Sequence, residues 1–147
     1  VSGLKLPEQV KAFIEDCGYS SVKEVVEYQA GNLFDLPKAI RKPLIKTMSG
    51  INRIENGFFL KRASSVKQSR KNTRQFLFIH GEKDHFVPTE MVHQNYAATK
   101  APKFLWIAPL AEHAMSYPMY KNKYQQVIKA FLKNIFVNYC KRLHKWI

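Results

Sequence analysis

The stretch Gln75-Phe-Leu-Phe-Ile-His80-Gly-Glu-Lys-Asp84-His-Phe-Val-Pro88 decides the fold. The apolar run from Gln75 to His80 predicts a strongly buried strand, stopped at Gly81. A loop rich in titratable groups follows. Pro88 or Thr89 then starts a helix running to about Thr99, with Met91, Val92, Tyr96 and Ala97 as its apolar residues. Lys103-Phe-Leu-Trp-Ile-Ala108 repeats the strand signal, and a second loop, Pro109-Leu-Ala-Glu-His113-Ala-Met-Ser-Tyr-Pro118, comes after it. The chain closes on a long helix from about Asn122. There Tyr124, Val127, Ile128, Phe131, Leu132, Ile135 and Tyr139 recur at three- and four-residue spacing and predict one apolar face.

Upstream, Val10-Lys-Ala-Phe-Ile14 reads as a short buried strand that turns at Glu15-Asp16-Cys17-Gly18. Ser21-x-x-Glu24 is a capping box, and Val22, Val25, Val26 and Tyr28 are the apolar residues of the helix it opens. Residues 32–72 read as helical pieces broken by Pro37, Pro43, Gly50 and Gly57, because a proline inside a helix removes a hydrogen bond and clashes with the preceding turn. Ser65-x-x-Gln68 is a weaker capping box, and residues 69–73 form a polar link. Uniformly apolar strands alternating with helices predict an α/β fold, a mostly parallel sheet covered on both faces. Ligands of such sheets gather beyond the carboxyl ends of the strands, here Asp16 to Ser20, Gly81 to Val87 and Leu110 to Ser116.

The 147 residues suit one domain, and 46% apolar with 13% aromatic content excludes a disordered chain. A compact chain of this length buries about 70% of its unfolded surface. No run approaches a membrane-spanning length, and the first residues do not read as a signal peptide. The start at Val-Ser-Gly, without Met, suggests that the chain is not a whole gene product. Cys17 and Cys140 are too few for a disulfide scaffold and too far apart for a Cys-x-x-Cys zinc site, and read as buried or idle thiols. The formal charge of +13 is uneven: residues 1–37 carry −3, 38–74 carry +10, 75–120 carry −1 and 121–147 carry +7. Such a segment can face an anionic partner, nucleic acid or lipid, or can be a solvated helix face. No RNA-binding motif or zinc-finger spacing accompanies it, so nucleic acid is not favoured, while a membrane surface stays open. The terminal helix reads as one that covers the sheet and keeps its charges in water.

Asp84 and His113 stand after consecutive strands, and neighbouring strands lie about 5 Å apart. A carboxylate beside a histidine fixes its tautomer and stabilises the imidazolium, the supporting half of a nucleophile–histidine–acid system. On spacing alone, the favoured reading is a turn-forming Asp and a His packed at the surface. His80, next to the tight turn, reads as a structural residue closing the strand end. A metal set of His80, Asp84, His85 and His113 matches no ligand spacing. Trp106 reads as core; Met115 and Tyr117 could line an acyl pocket or simply pack.

The loop His80-Gly-Glu-Lys-Asp84-His-Phe-Val-Pro88 resembles the acid-bearing loop of the α/β-hydrolase family, H-G-x-x-D-x-x-V-P. Ala-Glu-His113-Ala resembles that family's histidine loop, and Ile-Glu-Asp-Cys-Gly-Tyr is similar to the strand that follows the nucleophile helix in bacterial members with a serine nucleophile. The resemblance runs through nearly all of the chain. It implies Asp84 as triad acid, His113 as general base and residues 20–72 as a helical cap, with no cofactor. It departs in one respect, because the family's nucleophile sits on a Gly-x-Ser-x-Gly elbow and this sequence has none. Ser49-Gly50 follows no strand and Ser116 lies in the histidine loop.

The resemblance therefore implies the C-terminal half of a serine hydrolase of esters or amides with small or medium acyl groups. By itself this half is expected to be inactive. Residues 10–16 would leave a bare strand edge, predicting a homodimer or a complementing half there. The whole protein would be cytoplasmic, or membrane-associated through a preceding segment. The alternative is a non-catalytic binding module that takes nucleic acid or anionic lipid through residues 38–74. A truncated relative acting as a protein partner is a third reading.

Overall fold

The computed structural model describes residues 5–143, with side chains as far as Val137. Three strands, β1 (Ala12–Asp16), β2 (Gln75–Gly81) and β3 (Lys103–Ala108), form one parallel sheet in the order β1-β2-β3. Between β1 and β2 come α1 (Val22–Asn32), α2 (Lys38–Asn56), a short 3-10 turn (Leu60–Arg62) and α3 (Ser65–Ser69). Between β2 and β3 lies α4 (Thr89–Ala98), and α5 (Ser116–Met119) and α6 (Lys121–Leu143) follow.

Successive strand residues point to opposite faces, and the core divides accordingly. Phe76 and Phe78 pack with Val92 of α4, joined by Phe13, Tyr96, Leu105 and Ile107. Leu77 and Ile79 pack with Phe131 of α6, joined by Tyr124, Val127, Ile128 and Ile135. The central strand is thus covered on both sides, which is why Phe76 to Ile79 are apolar without alternation. Register is set by Phe76 opposite Phe13 on one side and by Phe78 opposite Leu105 on the other.

Several expectations are corrected. The first strand starts at Ala12 rather than Val10 and extends through Glu15 and Asp16; the turn falls at Cys17, whose φ is 55°. It is only half-buried, as an edge strand is, with Ile14 43% exposed. Pro37 and Gly57 do bound α2, Gly57 as a left-handed C-cap with φ 80°. Pro43 and Gly50 do not break it. A proline near the start of a helix forfeits a single backbone bond, and the Thr47 hydroxyl donates to the Pro43 carbonyl at 3.1 Å. Ser64, not Ser65, caps α3, accepting from the Lys67 amide at 3.3 Å. The short α5 was not anticipated. Leu132 is not on the packed face of α6; it directly follows buried Phe131 and is 40% exposed. The Tyr139 and Cys140 side chains lie outside the described residues.

The helical excursion leaves and rejoins the sheet at one point. Ser21 and Ser64 form an antiparallel bridge, the Val22 amide donates to the Ala63 carbonyl at 3.0 Å, and the Val66 amide donates to the Ser20 carbonyl at 3.2 Å. Ser21 caps α1 by accepting from the Glu24 amide at 3.2 Å, as the capping box predicts, while the Glu24 carboxylate takes the hydroxyl of Ser20. Among the described residues no helix is long and apolar enough to cross a membrane.

Candidate active site

The three loops at the carboxyl ends of the strands converge, as the topology predicts. The Cys17 amide donates to the Ile79 carbonyl at 3.0 Å, which ties the loop after β1 to β2. The Glu82 amide donates to the Ala108 carbonyl and the Lys83 amide to the Ala111 carbonyl, both at 2.9 Å. In return the Glu82 carboxylate accepts from the Leu110 amide at 2.8 Å. Gly81 sits where these loops meet, and a Cβ there would lie 2.3 Å from the Ala111 carbonyl oxygen. Leu110 and Ala114, with φ of 56° and 59°, flank His113 in the left-handed region. Non-glycine residues tolerate that region only when the surrounding structure holds them there.

Asp84 is buried at the centre of this cluster. Its Oδ1 accepts from the amides of Phe86 at 2.9 Å and Val87 at 2.7 Å, an Asx turn that fixes the carboxylate plane. Its Oδ2 is then presented to His113 Nδ1 at 2.8 Å and to His80 Nε2 at 3.3 Å. His80 Nε2 also contacts the Val87 carbonyl oxygen at 2.8 Å. Two acceptors around one ring nitrogen require that nitrogen to carry the proton, so His80 is an Nε2–H donor that holds the loop shut. It has the structural role its sequence position suggests. The same logic assigns His113: Nδ1–H donates to Asp84, and in the neutral ring Nε2 keeps a free lone pair. The His113 side chain is 38% exposed, against 0% for Asp84. The Phe86 ring leans on it at 4.9 Å between centroids.

Cys17 is buried, one of the two readings its sequence allows, and it belongs to this site. The Ala114 amide donates to its Sγ at 3.3 Å, and the thiol donates to Asp16 Oδ1 at 3.3 Å. Burial pushes the thiol up to about 12, and the neighbouring Asp16 and Asp84 carboxylates add to the shift. Tyr124 donates to Asp16 Oδ2 at 2.9 Å, and burial, with that hydrogen bond, pushes its phenol up to about 12. Cys17 stands in the post-strand loop that topology had already singled out, and that was the signal available. Among the described residues, Cys17, Asp84 and His113 offer ligand atoms within 4.8 Å of one another, and His80 and His85 are not in that group. A metal there would have to displace a strongly held thiol proton and break the Asp84–His113 hydrogen bond. We therefore read the cluster as a hydrogen-bonded one.

Several of the described serines are already engaged or buried. Ser21 and Ser64 cap helices, Ser20 is buried against Glu24, Ser49 accepts from the Leu60 amide at 3.1 Å, and Ser116 is fully buried.

No family model matches the chain. Solved structures do. An esterase of Pyrococcus furiosus superposes with a TM-score of 0.60 at 15% identity over 86% of this chain and 45% of its own. An α/β-hydrolase enzyme from the metagenome of Mar Chica lagoon sediments superposes with a TM-score of 0.52 at 17% identity, over 84% of this chain and 50% of its own. The fold is that of the α/β-hydrolases. In sequence, the chain is 28% identical over 123 residues to the uncharacterized protein YqkD of Bacillus subtilis, covering 84% of this chain. It spans 39% of the length of that relative.

Proposed function

We propose that this chain carries the acid and the general base of a serine-type acyl hydrolase. The observation that carries the reading is the 2.8 Å contact between a partly exposed His113 and a fully buried Asp84. Asp84 orients the ring, selects the tautomer with Nε2 as base, and stabilises the imidazolium that forms. In acyl transfer, a serine supplied by another part of the whole protein attacks the ester or amide carbonyl. His113 Nε2 takes its proton and later returns it to the leaving group. The solved hydrolases of like fold support this reading, and residues 20–72 serve in it as the cap.

The outer edge of β1 supports a second part of the proposal. Among the described residues β1 pairs only with β2, so the outer side of Ala12–Asp16 is an edge of the described sheet. We read that edge as the seat of a further strand, from the remainder of the protein or from a second copy. Light scattering tests the second case, since a monomer at high concentration would remove it.

The catalytic reading is tested on the whole protein with a nitrophenyl ester. Asp84→Asn is expected to lower turnover by about 10⁴-fold, because it strands the wrong tautomer, and His113→Ala by a comparable factor. The 147-residue chain alone is expected to show no turnover above background. Whole-protein activity indifferent to both substitutions would overturn the assignment. Turnover by the chain alone that vanishes in His113→Ala would overturn the need for an outside nucleophile.

A further inference from the structure

The helical excursion carries a surface that the hydrolase reading does not use. On α2, Ile40, Leu44, Met48, Ile51 and Ile54 follow one another at three- and four-residue intervals. That spacing places them on a single face of the helix. All five are between 41% and 86% exposed. The packed side is a different one: Ile45 is buried, and Ser49 accepts from the Leu60 amide. A soluble domain rarely leaves so continuous an apolar face in water unless something covers it.

The charge around this face indicates the occupant. Residues 38–74 hold eleven Lys and Arg against the single acid Glu55. Five of these cations, Lys38, Arg41, Lys42, Lys46 and Arg53, are on α2 itself. Just past the helix, Phe58 and Phe59 are part-exposed, with the Arg53 guanidinium 5.9 Å and the Lys61 ammonium 5.7 Å from the Phe59 ring centre. Protein interfaces are depleted in lysine. An anionic bilayer accepts both halves of this pattern, with apolar side chains sinking to the acyl boundary and long cationic side chains reaching the headgroups.

We propose that α2 lies in the plane of an anionic lipid bilayer surface, with the Ile40–Ile54 stripe inserted. This goes beyond the hydrolase reading and does not depend on it, since its test reads binding and not turnover.

The protein is sedimented with phosphatidylcholine vesicles, with and without phosphatidylglycerol. It is expected to bind the anionic vesicles and to bind the neutral ones more weakly. Ile40→Ser with Ile51→Ser changes two exposed side chains, so the circular dichroism spectrum should not move. Binding should fall at least about tenfold, as loss of inserted branched side chains requires. Glu55→Gln is a gain-of-binding control, expected to tighten binding about fivefold, since one unit of charge near such a surface contributes about that much.

Absence of binding to anionic vesicles would overturn the proposal. So would binding that the isoleucine pair leaves unchanged, which would be electrostatic adsorption without insertion. A dimer that the same pair dissolves would assign the stripe to a second copy and overturn it as well.

Discussion

Residues 75–116 and residues 22–63 are both rich in apolar side chains, and they use them in opposite ways. In the first region Leu77, Phe78, Ile79 and His80 are at most 1% exposed, and each has its partner within the described chain. In the second, the 19-residue α2 buries only Ile45, and α1 buries only Ala30. The first region is specified by its own packing, which is why it can hold a carboxylate and an imidazole at hydrogen-bond distance. The second is anchored at its base, through Ser21 and Ser64, and looks outward for the rest of its contacts. Matched truncations give the sharpest contrast. Phe78→Ala is expected to cost about 3–5 kcal/mol of stability, because it empties a fully packed site. Ile54→Ala is expected to change stability by less than about 0.5 kcal/mol, as exposed positions do. Urea unfolding of the two variants checks this, and equal losses would erase the distinction.

The junction of strand and site comes next in size. At Gly81 a methyl group would press on the backbone of Ala111 and Glu112, which has no flexible end to move aside. Gly81→Ala is expected to cost about 1–3 kcal/mol, the usual range for overpacking. The displaced segment leads directly to His113, so the Asp84–His113 contact should loosen too. A downfield Nδ1 proton resonance of His113 is expected in the native protein from its 2.8 Å contact with Asp84, and it should weaken in the variant. An unmoved resonance with native stability would show that the loop has room to yield.

The same contrast explains what the sequence could disclose. β2, β3 and α4 were legible because apolar runs bounded by Gly81 and Pro88 leave few alternatives. Topology placed Asp84 and His113 each at the carboxyl end of a strand, where a parallel sheet collects its chemistry, but only the resemblance of their two loops to those of a known family singled them out as a pair. α2 was misread at Pro43 because the cost of a proline depends on where it falls in the helix. Cys17 was missed because its role rests on a contact with Ala114, 97 residues away, which no local pattern encodes. β1 was placed two residues early because Val10 extends the apolar run ahead of the strand, while the strand itself ends on the polar Glu15 and Asp16.

The base of the excursion offers a smaller effect. Ser21 and Ser64 each accept one orphan amide at a helix start, from Glu24 and Lys67. Ser21→Ala and Ser64→Ala are each expected to cost about 1 kcal/mol. Because Ser64 also donates to the Ser20 carbonyl at 3.3 Å, its loss should open the excursion more than the sheet. Hydrogen exchange should rise across residues 22–63 while β2 amides stay protected. A uniform rise across both regions would show that they unfold as one unit, and the comparison would fail.

The smallest effect lies on the strand that joins the two regions. Burial pushes the Glu15 carboxyl above its ordinary 4.5, against the opposing hydrogen bond from Asn95 Nδ2 at 3.0 Å. In the pH interval above 4.5 the folded chain therefore holds this proton more tightly than the unfolded chain does. Stability then falls as pH rises through that interval, and settles at a lower level once the folded carboxyl has ionised. Glu15→Gln removes the titrating group and keeps an oxygen for Asn95 Nδ2. The new amide also brings a donor close to Asn95 Oδ1, which is buried without a hydrogen-bond partner. The variant should thus gain on the native protein as pH rises above 4.5, and the gain should flatten once the folded carboxyl has ionised. Parallel stability curves over this range would mean that water reaches Glu15 along the open edge of β1, and that the edge belongs with the outward-looking region rather than with the core.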